Sequence, residues 1–182
     1  MTRLMGWMCL FLLVALVGPL KAAADYYVDL DWTGATNGTE TEPYTTLSAA
    51  VVPFVANGGS VLVAGGVYKS VSEGGYENFG MNGYDIGVSN KAGVWQGGYA
   101  GWDGVSSFDW TEASRTYPTS TNGDEVSMTV VDLTNANSRA FCFSQYGVNI
   151  DFEGFLFRNS SVTQSAYKGG ALFMNGGMQW RL

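Results

Sequence analysis

The stretch Asn57 to Lys69, NGGSVLVAGGVYK, narrows the folding options of this chain more than any other. Ser60-Val61-Leu62-Val63 is too short and too rich in β-branched residues for a helix, so it predicts a strand. Glycine pairs flank it, Gly58-Gly59 and Gly65-Gly66, and Val67-Tyr68 resumes an extended run. Glycine between two short strands lets the backbone turn sharply, often at positive φ. Strand, glycine corner and strand form the profile of one coil of a β-solenoid. With 25 glycines in 182 residues, 14% aromatic and 14% charged residues, the chain suits an all-β protein with many tight turns.

Charge and chemistry exclude several function classes. Two of the basic residues, Arg3 and Lys21, lie before residue 25 and no acid does, so the net charge of −7 becomes −9 beyond that point. An acidic surface repels nucleic acid and anionic lipid, so nucleic-acid binding is not expected. The absence of histidine excludes a Ser-His-Asp triad, a Cys-His dyad and an imidazole zinc site. Catalysis would have to run on carboxylates, Lys, Arg, Tyr or bound calcium. Cys142, between Phe141 and Phe143, has no partner beyond Cys9 of the first segment, so it reads as a buried thiol unless Arg139 activates it.

Residues 1–24 read as a secretory signal peptide. Arg3 supplies the basic start, Leu4 to Gly18 the apolar core, and Ala22-Ala23-Ala24 the small-residue site, with cleavage after Ala24. The apolar run is short for a membrane span. The expectation is a secreted protein, extracellular or on the outer cell surface, with no membrane span in the mature chain.

Residues 25–59 read as an N-terminal strand and capping helix. Tyr26-Tyr27-Val28 is the strand and Asp31 to Glu42 a polar loop. Leu47, Ala50, Val51 and Phe54 then recur at i, i+3, i+4 and i+7, the stripe of a short amphipathic helix. Thr46 is placed to cap it, and Pro53 to limit or kink it within two to three turns. The run Tyr-Tyr-Val-Asp, Pro-Tyr-x-Thr-Leu-x-x-Ala-Val and Gly-x-x-Val-x-Val-x-x-Gly-x-Tyr, over Asp25 to Tyr68, resembles the amino-terminal cap of secreted right-handed parallel β-helix proteins of the pectate-lyase-like group. The resemblance implies an all-β, right-handed parallel β-helix with a short N-terminal capping helix over one end. Gly169-Gly170-Ala171-Leu172 partly resembles the Gly-Gly-Ala-Ile repeat of polymorphic outer-membrane proteins, although Leu156 stands where their Phe-x-x-Asn motif needs Phe.

Residues 60–182 supply the coils. Tyr84 to Val88 and Gly93 to Tyr99 read as the next pair of strands, and Met128 to Val131 starts a third coil that continues through Phe141 and Val148 to Phe157. The intervals from Val61 to Ile86 and from Phe141 to Ala171 fit the range of structural repeats. A competing all-β reading is an antiparallel sandwich. The C-terminal run from Gly169 to Leu182 contains no capping helix or polar final coil. The expectation is therefore a chain truncated at its C-terminus, with an exposed edge prone to edge-to-edge self-association.

Between the strands lies an excursion, Gly101 to Glu125, long enough to suggest function. Trp95, Tyr99, Trp102, Phe108, Trp110 and Tyr117 cluster around it. They could pack the loop down or stack on sugar rings. The candidate ligand-binding set is Trp95, Tyr99, Trp102, Asp103 and Trp110, and the candidate partner a polysaccharide or cell-surface glycan. Asp29 and Asp31, with Asn37, Glu40 and Glu42, could form a solvated loop or hold Ca2+ through oxygen ligands. Asp103, Asp109, Glu112, Asp124 and Glu125 carry the same ambiguity, and carboxylate pairs also serve glycoside hydrolysis. The resemblance implies an arginine base in related polysaccharide lyases, but none here sits in the Arg-x-Pro-x-x-Arg pattern. Two functions follow: an exported, non-catalytic β-helix module of a cell-surface or adhesion-type protein, binding glycans, or the N-terminal segment of a polysaccharide lyase or glycoside hydrolase whose catalytic coils are missing.

Overall fold

The computed structural model describes residues 25–75, 77, 84–86, 92–118, 126–136, 138–143, 149–161 and 171–174. The predicted leader with its Ala24 cleavage point, Asp124, Glu125, Gly169-Gly170 and the run beyond Met174 lie outside these residues.

In chain order the elements are β1 (Asp25–Val28), α1 (Leu47–Asn57), β2 (Gly59–Ala64), β3 (Gly66–Lys69) and β4 (Tyr84–Asp85). Then come β5 (Ala92–Tyr99), β6 (Gly101–Trp102), β7 (Phe108–Asp109), β8 (Thr129–Asp132) and β9 (Phe141–Phe143). The last are β10 (Asn149–Glu153), β11 (Phe155–Arg158) and β12 (Leu172–Met174). The protein is mostly β. The strands form three parallel sheets, β1-β2-β5-β10, β3-β8-β11 and β4-β9-β12, and one antiparallel pair, β6-β7. That predominance of parallel ladders removes the antiparallel sandwich.

The order of visits is regular: β2, β3 and β4 enter the three sheets in turn, β5, β8 and β9 repeat the circuit, and β10, β11 and β12 repeat it again. This corrects the repeat intervals read from sequence. Val61 pairs with Trp95, not with the Ile86 position, because Tyr84–Asp85 belongs to a different sheet from β5. Met128 to Phe143 likewise completes the circuit begun by β5 and starts no new one. Phe141 pairs with Leu172, one residue beyond the expected Ala171.

Parallel register places like residues above one another, and those rows make the core. Tyr26, Val61, Trp95 and Phe152 form one row. Tyr68, Val131 and Phe157 form a second, and Tyr84, Phe141 and Leu172 a third. Trp95 is fully buried, its ring 6.0 Å from Phe152 at 22° and 5.1 Å from Phe141. Cys142 is free and buried, and burial pushes its thiol up, as expected for an inert side chain.

The helix forms as its sequence dictates. Thr46 is its N-cap, Oγ1 accepting from Ala49 N at 3.3 Å, and Gly58 ends it at φ 72°. Leu47, Ala50 and Phe54 are its buried stripe, with Phe54 5.5 Å from Trp95. Truncating Phe54 would cost about 3–5 kcal/mol at such a site. Pro53 lies within the helix; its carbonyl accepts from Tyr26 Oη at 3.2 Å, and Asn57 Nδ2 donates to the same Tyr26 Oη at 3.0 Å, two bonds that tie the helix to β1. The buried Glu77 carboxylate closes the other end, accepting from Leu47 N at 2.6 Å, Ser48 N at 3.4 Å and Tyr84 Oη at 2.5 Å. Its oxygens satisfy N–H groups that a helix start leaves open. Among the described residues no helix is long and apolar enough to cross a membrane.

Candidate functional site

One corner departs furthest from the others. Between the first and second sheets, β2 reaches β3 through Gly65 alone and β10 reaches β11 through Gly154 alone. At the equivalent corner β5 and β8 are separated by residues 100–128. The glycine corners are obligatory. A Cβ on Gly65 would lie 2.6 Å from the Ser127 backbone, and one on Gly154 (φ +72°) 2.5 Å from the Gly97 carbonyl. Thr129, fully buried, stitches the corner: Oγ1 donates to Ala64 O at 2.9 Å and accepts from Gly98 N at 2.7 Å.

The insertion has structure that the sequence did not announce. It contains the hairpin β6-β7, pairing Gly101 with Asp109 and Trp102 with Phe108, then a single 3-10 turn at Glu112–Ser114. Asp103 organises the hairpin tip: Oδ1 accepts from the backbone N–H groups of Val105, Ser106 and Ser107 at 2.8, 2.7 and 3.0 Å. Those bonds hold its carboxyl well below the usual range. Asp109 is lowered by bonds from the Thr111 hydroxyl and N–H. At the return, Arg115 is buried: Nε donates to Gly97 O at 3.1 Å and Nη1 to both oxygens of Glu112.

Aromatic rings cover the hairpin. Trp102 and Phe108 are 4.9 Å apart, and Trp32 meets them at 5.1 and 5.2 Å. Phe108 stacks on Trp110 at 6.4 Å and 13°, and Trp110 contacts Tyr27 at 5.0 Å and Tyr99 at 6.0 Å. Trp32, Trp102, Phe108 and Trp110 are each half-buried. Their orientations are pinned where an indole N–H finds a carbonyl, Trp110 on Glu40 at 3.1 Å and Trp32 on Ala35 at 2.8 Å. The four rings pack on one another and are only partly open to solvent.

The predicted ligand set is therefore brought together only in part. Trp102, Asp103 and Trp110 share this surface. Tyr99 is nearly buried beneath it, with Arg115 5.0 Å over its ring. Trp95 belongs to the core row, because strand alternation turns it inward. Trp32 and Tyr27 join the surface without having been expected there. The signal for Trp32 is a lone large aromatic in an otherwise polar loop.

Asp29 and Asp31 sit beside the hairpin. Asp29 is buried, its Oδ1 accepting from Asp31 N at 2.9 Å and Oδ2 from Trp102 N at 2.6 Å. Burial pushes its pKa up against those bonds. Calcium requires six to eight oxygens, and the described residues contain no group of three or more His, Cys, Asp or Glu placed to hold a metal. In this geometry Asp29 anchors the insertion. A cleft of about 260 Å³ opens next to Trp102, lined also by Asp29, Asp31, Tyr99, Ser114 and Thr116. No protein-family model, curated protein or solved structure matches the chain.

Proposed function

We propose that the chain is a right-handed parallel β-helix whose corner insertion is a carbohydrate-binding surface, within an exported, non-catalytic module of a cell-surface or adhesion-type protein. Three successive circuits through the same three parallel sheets support reading β2-β3-β4, β5-β8-β9 and β10-β11-β12 as coils. The right hand follows from the strong chirality of parallel β crossovers. The helix α1 packs against Trp95 from the end that its family resemblance would have it cap. The leader reading supports export.

One observation carries the binding function: Trp102 and Phe108 of the hairpin are packed with Trp32 and Trp110 into a cluster of half-exposed rings. Sugar rings present an apolar face to aromatic planes and hydroxyls to neighbouring carboxylates, and this surface offers both. Fixing the rings beforehand lowers the ordering cost of binding.

A glycan array and affinity gels with the secreted protein test the proposal. Trp102→Ala and Trp110→Ala should each weaken retention by about tenfold or more, as for an aromatic anchor, with unchanged far-ultraviolet circular dichroism. Retention on no glycan, or retention indifferent to both substitutions, removes the binding surface. Turnover of pectin or alginate by the protein would instead favour the lyase or hydrolase reading.

A further inference from the structure

We draw no further inference here: the strongest candidate, the apolar groove of about 550 Å³ that Phe152, Phe155, Phe157 and Leu172 line with Tyr117 beside the Gly154 corner, is a face for which nothing in the structure shows what covers it.

Discussion

Asp29 and Trp102 are joined by a 2.6 Å hydrogen bond, Trp102 N to Asp29 Oδ2, across 73 residues of sequence. The contact is tight enough to dictate its neighbour. Gly101 sits at φ +67°, and a Cβ there would come within 2.4 Å of the same oxygen. Asp29→Ala leaves two backbone N–H groups, those of Asp31 and Trp102, without their acceptor. The expected cost is about 1–3 kcal/mol. It should appear in urea melts, accompanied by faster amide exchange across Trp102 to Asp109 and a shifted tryptophan emission.

Thr129 tests the corner in a different way. Thr129→Val preserves shape but strands the buried Gly98 N–H, whereas Thr129→Ser keeps the hydroxyl. We expect the valine variant to lose about 1–3 kcal/mol and the serine variant to lose distinctly less, compared by denaturant midpoint at constant m-value.

Two glycines of nearly equal φ separate strain from collision. A Cβ added at Gly74 (φ +75°) would meet nothing within 4 Å, whereas one at Gly154 (φ +72°) would face the Gly97 carbonyl at 2.5 Å. Gly74→Ala should cost only the left-handed penalty of about 1–2 kcal/mol. Gly154→Ala should cost clearly more, because backbone on a neighbouring strand would have to move. Equal costs in thermal melts would contradict the corner packing.

Glu77 makes stability depend on pH with a definite sign. Burial raises its pKa, outweighing the bonds from Tyr84, Leu47 and Ser48. A raised folded pKa means the native state holds the proton more tightly than the unfolded chain. The contribution is therefore fully present below the ordinary glutamate pKa of about 4.3 and declines as pH rises through the folded value. In Glu77→Gln that decline should vanish. The melting-temperature difference between wild type and variant, followed upward from pH 4, reads it directly, and a difference that grows in favour of wild type with rising pH would contradict the sign.

Local chemistry is what the sequence makes legible. Glycine pairs around Val61 mark β2 and its corner, and the 3.6-residue stripe of Leu47, Ala50 and Phe54 with Thr46 marks the start of α1. Pairing partners are not legible. Val61 and Ile86 both follow a glycine-rich run and look equivalent, and only the sheet register shows that Trp95 is the neighbour of Val61. The same ambiguity draws Trp95 toward the ligand set: a tryptophan two residues before a Gly-Gly pair gives no sign of which face it occupies. Glu77 escapes notice because its role is to reach the N–H groups of Leu47 and Ser48, a relation with no local sequence signature.

The corner that admits residues 100–128 keeps the insertion outside the repeated strand pairing. Both ends of the insertion are fixed, so its length has little thermodynamic weight, each doubling of a loop adding only about 0.6 kcal/mol. A replacement segment would need to supply at least three seals: a donor for the Gly97 carbonyl, now Arg115 Nε, one for the Gly98 carbonyl, now Thr116 N at 2.7 Å, and one for the buried Asp29 Oδ2, now Trp102 N at 2.6 Å. Anything meeting those terms could be carried without disturbing the aromatic rows beneath it. The molecule is in this sense a socket that could exchange a single segment without rebuilding its sheets.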